Sequence, residues 1–85
     1  MTLDDVLAWC RANGADVRGV CRGREVSISH RDERLPDSPP AVEDIFHWDL
    51  KMANLRHPVS ASDMIRLVTG QMTLEGFKST IRGRE

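Results

Sequence analysis

Apolar residues near the N terminus recur at three- and four-residue intervals, the spacing that places side chains on one face of an α-helix. The positions are Leu3, Val6, Leu7 and Cys10, with Trp9 at the edge of the stripe. Thr2 is a residue type that caps helix N termini, and Asn13-Gly14 is a typical left-handed helix end. The pattern therefore predicts a helix over residues 3–13.

Residues 16–30 alternate apolar and polar side chains around a central glycine, which is the pattern of a β-hairpin. We predict a type II′ turn at Gly23-Arg24, because this turn needs glycine at its first central position. The facing pairs would be Cys21 with Val26, Gly19 with Ile28 and Val17 with His30 on one side, and Arg22 with Glu25, Val20 with Ser27 and Arg18 with Ser29 on the other. This register separates an apolar face from a polar face.

A charged, proline-rich linker precedes the next apolar segment, and Ser38 is expected to cap a second helix over residues 39–56 that ends before Pro58. The apolar positions of this helix cover an arc of roughly 220°. The remaining polar strip consists of Glu43, Asp44, His47, Lys51 and Asn54. A helix this apolar is either central to the fold or covered by a partner.

Two short helices are predicted in the C-terminal part, the first ending at Thr69 and the second at about Arg82. Their expected N-caps are Ser62 and Thr73, and their expected stops are Gly70 and Gly83. The order helix, hairpin and three helices predicts a small α+β fold that is mainly helical.

The composition is that of one small folded domain over residues 1–85. Hydrophobic residues make up 40% of the chain and charged residues 29%, the balance of a globular rather than a disordered protein. The formal net charge is −1, so no global field would hold nucleic acid or an anionic membrane. We therefore expect neither as the partner.

The two cysteines, Cys10 and Cys21, form no C-x-x-C pair. Small secreted domains normally carry several disulfides, so we predict two buried thiols in a reducing compartment. The first residues lack the basic and apolar stretches of a signal peptide, and no apolar segment approaches the ~20 residues that span a bilayer. These features predict a cytoplasmic protein.

The sequence contains no catalytic, metal or cofactor motif. His30, His47 and His57 lie far apart, and none stands three or four residues from a cysteine or another histidine, as the ligands of zinc sites do. We expect no metal, no cofactor and no enzymatic activity. His30 is expected to be half-buried at the hairpin end, His47 solvated on the second helix and His57 at that helix's C terminus.

Asp49 falls inside the apolar arc of the predicted second helix, between Ile45 and Ala53. A buried carboxylate needs a partner, because an unpaired buried charge is costly. Arg56, two turns further along, is the candidate for a structural salt bridge. The alternative is that Asp49 is exposed at a contact surface.

Charged residues on the hairpin and the second helix form the candidate binding site. Arginines bind phosphates or carboxylates bidentately, although they also protect short edge strands from aggregation. No aromatic residue accompanies them on the hairpin, which argues against stacking on single-stranded nucleic acid. The predicted partner-binding residues are Arg18, Arg22, Arg24, Glu43, Asp44 and His47.

A basic rim, an acidic rim and an apolar element between them are typical of protein interfaces. We therefore expect a protein-binding module that regulates or inhibits a larger assembly. Small proteins of this kind are frequent among phage and mobile-element products, including inhibitors of bacterial immune complexes such as anti-CRISPR proteins, although no motif here identifies a family. A homodimer would satisfy the same apolar excess.

The last two helices offer an alternative function, that of a small DNA-binding regulator of the helix-turn-helix type. Gly70 lies in a short turn between two capped helices, and Arg82 follows. However, Arg66 occupies a position that must be small, and Gly76 and Ser79 occupy positions that need apolar side chains. The spacing fits this motif, but the residue types do not.

Overall fold

The computed structural model of the protein describes residues 1–53 and 55–82. The elements are α1 (Leu3–Asn13), β1 (Asp16–Cys21), β2 (Arg24–Ile28), a 3₁₀ turn (Val42–Asp44), β3 (His47–Met52), β4 (Leu55–Val59), α2 (Ala61–Thr69) and α3 (Leu74–Arg82). The strands form one antiparallel sheet in the order β2-β1-β3-β4. Helix α1 packs against β2, α2 packs against β3, and the two helices touch each other, so they cover one face of the sheet.

The first helix has the predicted bounds and the predicted buried stripe. The Thr2 side chain accepts a hydrogen bond from the Asp5 backbone N–H, and the Asp5 carboxylate accepts one from the Thr2 backbone N–H. This capping box satisfies donors that the helix itself cannot pair. Gly14 ends the helix with φ of +64°, a conformation that favours glycine.

The first hairpin forms where it was predicted, but the predicted type II′ turn at Gly23-Arg24 is wrong. Arg22 and Gly23 are the turn residues, with φ of +51° and +79°, the pattern of a type I′ turn. Cys21 therefore pairs with Arg24, and the register moves by two residues from the prediction. Because a shift of two leaves each side chain on its own face of the strand, Cys21 and Val26 are still buried and Arg18 is still exposed.

The predicted second helix over residues 39–56 is wrong, because this segment forms the 3₁₀ turn and a second hairpin, β3–β4. Residues 47–52 alternate polar and apolar side chains, and the strand buries Trp48 and Leu50 in the core. Strand β3 pairs with the edge of β1 that β2 leaves free. A helix that packs on one face has a narrower apolar arc than the predicted one. The wide arc here results from the two-residue alternation of a β-strand.

The domain is accordingly a small α+β fold built on a four-stranded antiparallel sheet, and the predicted mainly helical architecture is wrong. Ser38, the predicted cap of the second helix, has φ of +54° and lies in the linker between β2 and the 3₁₀ turn. Arg11 attaches this linker to α1, since its guanidinium donates two hydrogen bonds to the Asp32 carbonyl oxygen.

Helix α2 begins two residues earlier than predicted. Its N-cap is Ser60 rather than Ser62, because the Ser60 hydroxyl accepts a hydrogen bond from the Asp63 backbone N–H at 3.1 Å. The predicted end is confirmed, since Gly70 follows the helix with φ of +80°. The correct cap lies directly after β4, of which the predicted second helix contained only Leu55 and Arg56.

Helix α3 begins after Thr73, as predicted. The Thr73 hydroxyl accepts a hydrogen bond from the Gly76 backbone N–H at 3.0 Å. Phe77 and Ile81 are buried on the inner side of the helix. The predicted stop, Gly83, lies outside the described residues.

Trp48 lies at the centre of the core and is fully buried. Its neighbour on β1 is Gly19. A Cβ atom on Gly19 would approach Ile45 Cγ2 to 2.6 Å and Trp48 Cε3 to 3.3 Å, so glycine leaves the space that these two side chains fill. Within the described residues, the indole Nε1 has no hydrogen-bond partner.

Both cysteines are buried free thiols, as predicted. Cys10 lies on α1 and Cys21 on the inner face of β1. Burial, together with the negative charges of Asp16 and Asp32, raises the pKa of Cys10 to about 12. Since the thiolate is the reactive form, Cys10 is a poor nucleophile at neutral pH.

Candidate functional site

Two large apolar side chains are exposed at the end of the sheet where β1 finishes and β3 begins. Phe46 is 75% exposed and Val20 is 40% exposed. The Phe46 backbone N–H donates a hydrogen bond to the Val20 carbonyl oxygen at 2.9 Å, and Val20 also pairs with His47. The backbones of the two residues are therefore adjacent at this end of the sheet.

The residues predicted for partner binding lie close to Val20 or Phe46 along the chain or in the sheet register, and each of them is exposed. They are Arg18 on β1, Arg22 in the turn, Arg24 at the start of β2, Glu43 and Asp44 in the 3₁₀ turn, and His47 at the start of β3. The pairing of β3 with β1 brings the basic and acidic groups to the same end of the sheet. Together with Val20 and Phe46 they are called the Phe46 surface below.

The basic side of the Phe46 surface is partly neutralised within the chain. Arg18 forms an ion pair with Glu25 on β2, with 2.7 Å between Nη2 and Oε1. Both side chains are more than half exposed, so solvent screens the pair and little free energy holds it together. In residues 1–53 and 55–82, Arg22 and Arg24 form no ion pair. Their guanidinium groups can therefore bind carboxylates or phosphates of another molecule.

The acidic side consists of Glu43 and Asp44 in the 3₁₀ turn. His47 follows at the start of β3. These three residues were predicted on a helix, and that placement is wrong. On β3, His47 Nε2 lies 3.1 Å from Asp49 Oδ1, because residues two apart on a strand project from the same face. This contact fixes the orientation of the imidazole at the margin of the Phe46 surface.

The predicted burial of Asp49 in an apolar helix arc, with Arg56 as its partner, is also wrong. Asp49 lies on the outer face of the sheet, where its side chain is 38% exposed. Its neighbours on the adjacent strands are Arg18 and Pro58. The anomaly that the helical pattern suggested disappears once the segment is a strand, since alternate residues then face solvent.

A second polar cluster lies at the opposite end of β1. One Asp16 carboxylate oxygen lies 2.8 Å from the Ser29 hydroxyl, 3.0 Å from the His30 backbone N and 2.8 Å from His30 Nδ1. His30 is half-buried at the hairpin end, as predicted. Ser29 and His30 both bind the carboxylate rather than each other, so His30 is not placed to activate the serine as a nucleophile.

Two opposing effects act on the Asp16 carboxyl group. Partial burial disfavours the charged form, but the hydrogen bonds from His30 and Ser29 and the charge of His30 outweigh it, so the pKa of Asp16 lies below its usual value. A group whose pKa is lower in the folded state stabilises the fold above its unfolded-state pKa of about 4. This stabilisation is lost as the pH falls through the folded-state pKa.

We predict that Asp16→Asn lowers the free energy of unfolding by about 1 kcal/mol at pH 7, a modest loss because solvent screens a side chain that is 38% exposed. The difference between wild type and variant should shrink as the pH is lowered from 7 to an acidic value below the unfolded-state pKa of about 4, towards the folded-state pKa of Asp16. Urea unfolding at the two pH values measures it. Asp37→Asn in the linker is the matched control and should cause no such difference. An equal loss at both pH values would contradict the role given to the Asp16 charge.

His57 lies on β4, so its predicted place at a helix end is wrong. It lines a cleft of about 540 Å³ between β4, α2 and α3, together with Phe77 and Ile81. Arg66 on α2 lines the same cleft, and its Nη1 lies 3.7 Å from Asp63 Oδ1. The lining of the cleft therefore includes two apolar side chains, Phe77 and Ile81, and the Arg66–Asp63 ion pair.

The described residues contain no cluster of three or more histidine, cysteine, aspartate or glutamate side chains that could hold a metal ion. None of the helices in this part of the chain is long and apolar enough to cross a membrane. No family model matches the chain, and no curated protein or solved structure matches it either. The function is therefore inferred from the geometry of this chain.

Proposed function

We propose that this protein is a non-enzymatic binding module that regulates or inhibits a larger protein assembly by covering part of its surface. The observation that carries the proposal is the 75% exposure of Phe46. Fully burying an aromatic side chain removes roughly 150–250 Å² from water, so a partner that covers Phe46 gains a substantial apolar contact. Val20 extends the apolar centre.

The charged margin of the Phe46 surface supports the same proposal. Arginine and aromatic residues are enriched where interfaces derive most of their binding energy. The basic group lies on the first hairpin, and the acidic group lies in the 3₁₀ turn that precedes Phe46. A partner with the opposite arrangement of charges would bind in one orientation, since like charges facing each other are costly.

The alternative function, DNA binding through α2 and α3, has less support from the geometry. Arg66 is paired with Asp63, and Gly76 and Ser79 are exposed instead of packed between the helices. Phosphate binding would in addition weaken steeply with salt, whereas an interface with an apolar centre would not. Duplex DNA at moderate salt is therefore the control ligand.

We expect the variant Arg18→Ala/Arg22→Ala/Arg24→Ala to lose its protein partner while remaining folded. Exposed substitutions usually change stability by less than about 0.5 kcal/mol each, and losing contacts with three arginines should weaken binding by at least about tenfold. The matched control is Arg31→Ala/Arg34→Ala/Arg56→Ala, which removes three exposed arginines elsewhere. The measurement is affinity capture from cells of the native host, followed by titration of the recovered protein.

Equal binding by the two triple variants would assign the hairpin arginines a solubilising role and remove them from the site. Tight, sequence-selective binding to duplex DNA without a protein partner would overturn the proposal and favour the C-terminal helices.

A further inference from the structure

The two edges of the sheet differ in their ability to accept another strand. In an antiparallel pair, alternate residues direct their backbone N–H and C=O groups towards the partner strand and away from it. Pro58 on β4 pairs with Asp49 and has no N–H to donate. Proline is tolerated on an edge strand where its nitrogen faces away from the sheet, so the β4 edge presents an interrupted row of donors.

The β2 edge has no such interruption. The two-residue turn at Arg22-Gly23 places a hydrogen-bonded pair at the flanking residues, Cys21 and Arg24. Hydrogen-bonded and non-hydrogen-bonded pairs alternate along the two strands from this pair onwards. Glu25 and Ser27 therefore direct their backbone N–H and C=O groups away from β1. Within the described residues, the backbone groups of Glu25 and Ser27 take part in no hydrogen bond to a turn, loop or cap. An edge of this kind is a template for strand pairing.

We propose that β2 pairs with β2 of a second copy of this chain, antiparallel and across a two-fold axis centred on Val26. Glu25 of each copy then faces Ser27 of the other, and the outward N–H and C=O groups of both residues are satisfied reciprocally. The two sheets become one continuous sheet. The pairing is isologous, so it closes as a dimer rather than extending into a fibre.

Charge favours this register over its neighbours. Ser27 pairs with Arg18 of its own chain, so Glu25 of one copy lies about 10 Å in Cα distance from Arg18 of the other, two strand spacings away. The small Ser27 side chain leaves the space between them open. Because Arg18 already reaches Glu25 within its own chain, at 2.7 Å, the dimer surrounds each glutamate with two arginines.

The neighbouring registers that keep the same faces are less favourable. Centring the axis on Glu25 places the two glutamates directly opposite each other, and like charges in that position are destabilising. Centring it on Ser27 places Glu25 opposite Ser29, whose hydroxyl donates to Asp16, so two carboxylates approach each other. The axis at Val26 avoids both contacts.

The test is sedimentation velocity of the purified chain over a range of concentrations, with Ser27→Pro and Ser27→Ala as a matched pair. Ser27→Pro removes the outward N–H and leaves the hydrogen bonds to β1 intact, in the manner of Pro58 on β4. Ser27→Ala keeps the N–H. Wild type and Ser27→Ala should rise from 9.6 kDa towards twice that mass, and Ser27→Pro should dimerise at least about tenfold more weakly.

A charge exchange tests the register independently of the proline. Glu25→Arg should weaken the dimer by at least about tenfold, and Arg18→Glu/Glu25→Arg should restore it. Circular dichroism and urea unfolding establish that each variant is folded. A wild type that remains monomeric at every concentration would overturn the proposal, as would a folded Ser27→Pro variant that dimerises like wild type. The dimer leaves Val20 and Phe46 uncovered, and Ser27 does not belong to the Phe46 surface, so Ser27→Pro and Phe46→Ala test the two proposals separately.

Discussion

Replacing Trp48 with alanine is expected to lower the free energy of unfolding by about 3–5 kcal/mol. Trp48 is fully buried, and its neighbour on β1 is Gly19, which has no side chain to move into the vacated space. Ile45 also packs beside Gly19. It is buried in the core itself. A domain of this size has a stability of roughly 4–13 kcal/mol, so the variant should lose a large part of its stability.

Urea unfolding followed by circular dichroism measures this loss. Trp9→Ala is the matched control, because Trp9 is only partly buried beside the core and its removal should cost less than about 2 kcal/mol. Trp48→Phe should cost less than Trp48→Ala, since phenylalanine fills part of the space and removes an indole donor that has no partner among the described residues. Equal losses for the two alanine variants would contradict the central position of Trp48.

Replacing Phe46 with alanine is expected to have the opposite profile, with little effect on folding and a large effect on binding. The side chain is 75% exposed, so stability should stay within about 0.5 kcal/mol of wild type. If Phe46 is the apolar anchor of the interface, its truncation should cost at least about 2 kcal/mol of binding free energy, or roughly 30-fold in Kd.

Titration calorimetry with the captured partner protein measures this change. Val68→Ala is the control, because Val68 is another partly exposed apolar residue but lies on α2, beside α1. Its affinity for the partner should equal that of wild type. A Phe46→Ala variant that is folded and binds at full affinity would remove Phe46 from the site and with it the observation on which the proposed function rests.

The helices could be predicted because their signals are local. Thr2 and Thr73 cap their helices through contacts within one turn, and Gly14 and Gly70 end helices with left-handed backbone conformations. Capping depends on residue types a few positions apart, so no distant part of the chain needs to be known. The buried stripe of α1 follows from the same short-range periodicity.

The candidate site could be predicted only in part. The charged residues were recognisable as two groups of opposite sign, but the exposure of Phe46 was not, since an aromatic residue beside Ile45 suggests burial. Because β3 starts only at His47, Ile45 is buried in the core and Phe46 is exposed to solvent. The missed signal is the alternation that begins at His47, which a helical assignment of the same residues concealed.

By itself, the sequence determined which side chains of the first hairpin face the core, because a register change of two residues leaves every side chain on its own face. The sequence also determined both ends of α1, the C-terminal end of α2 and the start of α3, through their caps. Only the tertiary structure decided that residues 47–52 form a strand. A short apolar segment is compatible with a helix or a strand, and the choice depends on distant contacts. In this fold, the free edge of β1 supplies the hydrogen bonds, and the face covered by α1 and α2 buries Trp48 and Leu50.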